Sequence, residues 1–179
     1  MSILTKANLD SIRFASKDAT RSTLMTLNVR DKFTEATDGH RLMRVPLESN
    51  GDTGILKAAA VQTANKATKA GGHVRFEGTT LETDSCLSIP AVVDTDSTYP
   101  DCDKIWPEVT REWTRIGINA GYLAEIAAFF KRHSDADPAV LELYFDPSGP
   151  EVKPIVMVSG EFQALLMPCR INENHLANR

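Results

Sequence analysis

EATDGHRLMRVP, Glu35 to Pro46, carries the reading of this chain. Its apolar residues run on both sides of Asp38-Gly39, a pair whose chemistry favours a turn. Phe33–Val45 therefore reads as a strand interrupted at Asp38-Gly39. Upstream, STLMTLNV (Ser22–Val29) alternates as a strand does, and Asp31-Lys32 makes the next turn. Before it, Ala7–Asp18 has helical spacing, with Leu9, Ile12 and Ser16 on one side. The order is a helix followed by a meander of strands.

That order recurs. ILKAAAVQTANKATKA (Ile55–Ala70) is alanine-rich and reads as a helix stopped by Gly71-Gly72. HVRFEG, TTLETDS and LSIPAVVDT follow it as short strands. A third segment opens with TRIGI as a strand and Asn119 as a helix cap. GYLAEIAAFFKRH then places Leu123, Ile126 and Phe130 at core spacing, before the strands AVLELYF, PIVMVS and FQALLMPCRI. Short turns between strands imply antiparallel sheets with helices on one face, an α+β class rather than a doubly wound one. The proline-bearing stretch Trp106–Arg111 is the natural boundary, DPSGPEVKP is a turn cluster, and Asn172–Arg179 is a polar tail.

The 179 residues are 42% hydrophobic and 25% charged, which suits one ordinary domain or two small ones. Cys86, Cys102 and Cys169 are odd in number and far apart, which fits a reducing compartment and neither a zinc site nor a disulfide framework. With no signal-like N-terminus and no spanning apolar run, a cytoplasmic protein is expected. No catalytic residue, cofactor or metal is expected. Asp38 and His40 have no nucleophile nearby, the Asp94–Asp103 loop lacks calcium-loop spacing, and no phosphate-binding glycine motif is present.

Positive charge is uneven in a chain of net charge −4. The second helix carries Lys57, Lys66 and Lys69 with no acidic residue, and Gln62, Asn65, Lys66 and Lys69 fall on one stripe. Leu56, Ala60, Ala64 and Ala67 form the opposite, buried stripe. Lys6, Arg13 and Lys17 share a face of the first helix, and the third ends in Lys131-Arg132. Such faces are either simply solvated or turned towards a phosphate backbone.

Together, ATDGHRLMRVPL (Ala36–Leu47), YPDCDKIWP (Tyr99–Pro107), INAGYLAEIAAFF (Ile118–Phe130) and QALLMPCRI (Gln163–Ile171) resemble, in order, motifs of the bacterial DNA sliding clamp, the beta subunit of DNA polymerase III. The resemblance implies the DNA-clamp fold of repeated helix-plus-meander half-domains. It maps residues 1–107 onto a middle clamp domain, with halves at about 1–50 and 51–107. Residues 108–171 map onto the second half of a last domain, and 172–179 follow as a tail. It implies a processivity factor of DNA replication and repair, not an enzyme, that binds duplex DNA without sequence specificity and forms a homo-oligomer. Arg13, Lys17, Lys66 and Lys69 would face the DNA. Polymerases and repair proteins would insert short peptides into a hydrophobic pocket of Leu24, Thr37, Gly39, His40, Arg41, Leu42, Pro100, Ile105, Leu165, Met167, Pro168, Cys169, Arg170 and Ile171. Taken singly, the apolar members of that set also read as plain core. The alternative is a decoy or adaptor that binds the same peptides without encircling DNA.

Overall fold

The computed structural model describes residues 1–47, 51–92, 98–106, 116–133, 140–146, 153–160 and 162–169. The chain divides into two units, Met1–Trp106 and Pro107–Arg179. Arg170, Ile171 and the polar tail, expected from the sequence as site residues and tail, lie outside the described residues, as does most of the turn cluster after Asp146.

The first unit contains the helix-plus-meander pattern twice. Its first half runs β1 (Ser2–Thr5), α1 (Lys6–Asp10), β2 (Thr26–Val29), β3 (Phe33–Thr37) and β4 (Leu42–Pro46). Its second runs β5 (Gly54–Lys57), α2 (Ala58–Ala67), β6 (His73–Glu77), β7 (Thr80–Thr83) and β8 (Ser88–Pro90). All the strand pairings are antiparallel, in two four-stranded sheets ordered β4-β3-β2-β5 and β1-β6-β7-β8. The opening strand of each half thus belongs to the sheet of the other. Leu56 lies opposite Leu27, and Leu4 opposite Val74, all fully buried. One core results, in which Leu9, Ile12, Ala60, Val61 and Ala64 from the helical segments meet residues of both sheets.

Several boundaries differ from those expected. The first helix does not reach Asp18. It ends at Asp10 and passes into a 3-10 turn, Ser11–Phe14. The cause is local: the Ser11 hydroxyl donates to the Asn8 carbonyl at 2.6 Å, and Ser16 Oγ accepts from the Asp18 N–H at 3.1 Å, so side chains compete for helical partners. Ser22–Leu24 lies in another 3-10 turn, and the strand begins only at Thr26. Ile55–Lys57 is strand, not helix, because it pairs with β2. The second helix closes at Ala67. There the Thr68 hydroxyl donates to the Ala64 carbonyl at 2.7 Å, and Lys6 Nζ donates to the carbonyls of Asn65 and Thr68. Lys6 is therefore a helix cap rather than part of a free basic face, and Lys17 and Lys69 stand outside the helices.

The second unit is one repeat of the same plan. Asn119 Oδ1 accepts from the N–H groups of Gly121 and Tyr122 at the start of α3 (Ala120–His133). β9 (Glu142–Tyr144), β10 (Ile155–Ser159) and β11 (Phe162–Leu166) form an antiparallel sheet ordered β11-β10-β9. Phe130 of α3 packs with Ile155, Met157 and Leu166, with Leu123 and Ile126 alongside. The other face of the sheet, with Tyr144, Val156 and Leu165 in register, points away from that core.

Candidate peptide-binding surface

The turn at Asp38-Gly39 is held by its own side chains. Gly39 has φ +90°, in the region that favours glycine. The Thr37 hydroxyl donates to the Arg41 carbonyl at 2.8 Å and accepts from the Gly39 N–H at 3.0 Å. Asp38 accepts from the N–H groups of His40 and Arg41 at 2.9 and 3.1 Å and from Arg41 Nε at 3.0 Å. These donors, the His40 N–H first, hold the Asp38 carboxyl below its ordinary range. Asp38 and His40 are thus not an acid–base pair: the carboxylate is committed to the turn, and His40 is exposed. Thr37 is buried with its hydroxyl used, so it shapes the surface instead of lining it. Replacing Gly39 with alanine is expected to cost about 1–2 kcal/mol, the penalty for placing a Cβ in left-handed backbone, measured by urea unfolding.

The neighbouring side chains stay at the surface. Arg41 lies over the Phe14 ring at 4.9 Å, and Arg21 Nη1 donates to the Asp38 carbonyl at 3.4 Å. Leu24 and Leu42 are half-buried, and Ile105 is 70% exposed. None belongs to the buried core, so the plain-core reading does not hold for them.

Pro100 and Ile105 ride on Thr98–Trp106, which covers the outer face of β3 and β4 through a charge cluster the sequence did not reveal. Glu35 of β3 is fully buried. Arg44 of β4, directly opposite it, donates to the Glu35 carboxylate through Nε at 2.9 Å and reaches Asp103 through Nη2 at 2.7 Å. Arg30 joins Asp103 at 2.8 Å and Glu35 at 3.7 Å. The Arg44 guanidinium lies over the rings of Phe33 (4.0 Å) and Trp106 (4.5 Å). The hydrogen bonds from Arg44 and Arg30 hold the Asp103 carboxyl below its ordinary 3.8. Its folded pKa is depressed, so its stabilising contribution is present above that value and is lost as pH falls through the folded pKa. Asp103→Asn should therefore flatten the loss of stability on acidification, read as urea midpoints across about pH 2–6.

In the second unit Leu165 is 67% exposed, and Met167 and Cys169 are also exposed. Leu165 borders an open apolar depression of about 480 Å³ with Tyr144, Phe145, Val156 and Pro154, rimmed by the Asp146–Lys153 ion pair. Tyr144, Phe145 and Val156 were not among the expected site residues. The signal was the apolar run Leu143-Tyr144-Phe145, whose members all stay exposed.

Of the expected basic residues, Arg13, Lys17, Lys66 and Lys69 are all exposed. They do not form the continuous stripes expected. Arg13 pairs with Asp10 at 3.4 Å, and Asn65 is drawn to Asp10 at 2.8 Å, which brings a carboxylate beside α2.

No protein-family model and no curated protein matches the chain. Solved structures do. A sliding clamp from Bartonella birtlesii bound to griselimycin superposes with TM-score 0.66 at 21% identity, over 96% of this chain and 51% of that one. The clamp of Bacillus subtilis gives 0.62 at 16%, over 96% and 50%, and the beta subunit of Streptococcus pyogenes 0.63 at 17%, over 94% and 50%. The fold is that of the bacterial sliding clamps. The chain spans about half the length of the clamps it matches. The doubled helix-plus-meander pattern of Met1–Trp106 and the single copy after it are thus pieces of the clamp fold. Among the described residues, no helix is long and apolar enough to cross a membrane.

Proposed function

We propose that this chain is a non-catalytic, clamp-like protein of DNA replication or repair that binds short extended peptides of polymerases and repair proteins. The observation that carries the reading is Leu165, exposed beside the apolar depression on a clamp-fold sheet. Peptide contacts are assigned to Leu24, Gly39, His40, Arg41, Leu42, Pro100 and Ile105 in the first unit. In the second they are assigned to Leu165, Met167, Pro168 and Cys169, with Tyr144 and Val156 added, and Arg170 and Ile171 are kept from the sequence. Met167 suits such a surface because its flexible thioether adapts to different side chains. Arg41 supplies a cation at the rim for peptide carboxylates. That a Bartonella clamp of the same fold holds griselimycin supports a ligand-binding role.

The test is a fluorescence-anisotropy titration of a labelled peptide carrying a polymerase clamp-binding motif. Saturable binding that unlabelled peptide displaces supports the reading. No binding up to millimolar peptide overturns it.

Exposed Arg13, Lys17, Lys66 and Lys69 are proposed to face duplex DNA without reading bases. If so, changing Lys66 and Lys69 together to alanine should weaken duplex retention uniformly across sequences and lower its salt dependence. A second reading, an adaptor or decoy that binds peptides without encircling DNA, is favoured by the single repeat of the second unit. Retention on circular DNA, lost when the circle is cut, would exclude it.

A further inference from the structure

The first unit shows what a single repeat lacks. Following the pairings inward from the last meander strand, Val45 faces Thr34, which faces Val29. Ile89 faces Leu81, which faces Phe76. Leu166 faces Ile155, and one step past β9 the same register brings Phe145 opposite it. Phe145 thus takes the place of Val29 and Phe76, and Leu143 that of Leu27 and Val74.

The burial of these positions diverges sharply. Leu27, Val74 and Phe76 are 0% exposed and Val29 is 1%, whereas Leu143 is 46% and Phe145 50% exposed. The difference is the exchanged strand. β5 closes β2, and β1 closes β6, but among the described residues β9 pairs with β10 alone. The chain also carries an opening segment, Ile116–Ile118, whose Ile118 packs against its own unit's core but which, among the described residues, meets no strand beyond the bridge at Cys169. Leu4 and Leu56 each stand two residues before their helix, and Ile118 holds that place before α3. Gly117 is bridged on one side to Cys169, and Ile116 is exposed.

We infer that a second copy of this chain covers β9. Ile116–Ile118 of each copy adds antiparallel to β9 of the other, with Ile118 opposite Leu143 and Ile116 opposite Phe145. A two-fold axis makes the contact self-complementary, so one interface covers both exposed edges. Two second units then build between chains the closed body that the two halves of Met1–Trp106 build within one. The inference stands on the repeat and its register, and it holds whether or not the peptide-binding reading does.

The experiment uses the full chain. Light scattering after size exclusion, over a range of concentrations, should show a dimer. Leu143→Asp, at a position already half open in the single chain, should raise the dimer dissociation constant roughly 30-fold or more by placing a charge in the joint. Circular dichroism checks that the variant remains folded. Independently, Ile118→Cys with Leu143→Cys, in a Cys86→Ser, Cys169→Ser background, should give a disulfide-linked dimer on mild oxidation, with the 118–143 bond identified by mass spectrometry. Facing strand residues have the Cα separation a disulfide requires. A monomer at all concentrations, a dimer untouched by Leu143→Asp, or an intrachain 118–143 disulfide would each overturn the inference. The first result would leave the edge to a different protein, and the third to the chain's own opening segment.

Discussion

Arg44→Ala is expected to destabilise Met1–Trp106 by about 3–5 kcal/mol, the cost of breaking a buried ion pair from one side. Glu35 has no exposure to water, and Arg44 is its close partner, directly opposite on the next strand. Removing the guanidinium leaves the carboxylate with Arg30 at 3.7 Å and Asn28 Nδ2 at 3.3 Å. It also unstacks Phe33 and Trp106 and frees one side of Asp103. Urea unfolding of the full chain, followed by circular dichroism and tryptophan fluorescence, would measure the loss. Replacing Glu35 and Arg44 together with methionine should recover a large part of it, because the cost lies in the stranded charge more than in the lost attraction. A loss below about 1 kcal/mol in the single variant would mean that water reaches Glu35 after all.

Leu165→Asp is expected to weaken peptide binding at least about 30-fold, corresponding to the roughly 2 kcal/mol typical of a central interface anchor. It should leave folding stability within about 0.5 kcal/mol, as substitutions at exposed positions do. Leu165 is already two-thirds exposed, and its neighbours in register, Val156 and Tyr144, face the same way, off the core of Phe130, Ile155, Met157 and Leu166. A carboxylate there disturbs the depression and little else. Anisotropy titrations of both proteins, paired with thermal melts, separate the two effects. Unchanged affinity in a folded Leu165→Asp protein would move the peptide site away from this sheet.

The local parts of the fold were legible in the sequence. The meander around Gly39, the cap at Asn119 and the core stripe of α3 follow from alternation, turn chemistry and helical spacing over a few residues. The exchanged strands were not. Ser2–Thr5 and Gly54–Lys57 are four residues each and run straight into helices, so Ile55-Leu56-Lys57 merges with the alanine run that follows. What makes them strands is a distant partner, Ser2 facing Phe76 and Lys57 facing Thr26, and no local pattern carries that information. The same holds for the site. Glu35, Arg44 and Asp103 look like ordinary surface charges until β3, β4 and the Thr98–Trp106 segment come together. The depression beside Leu165 likewise depends on three strands at once.

The exchange of opening strands also orders events during synthesis. Within Met1–Trp106, Ser2–Thr5 is made before the strand it pairs with, so Leu4 has no strand to face until Val74 has been made. β2, β3 and β4 can begin a sheet, but its fourth strand, β5, is translated only after them. No half of Met1–Trp106 can mature alone, because each lends a strand to the other and shares one core with it. Leu4 therefore stays without its partner strand through most of the unit's translation. That interval, set by topology and elongation rate, is when a chaperone has the most apolar surface to hold.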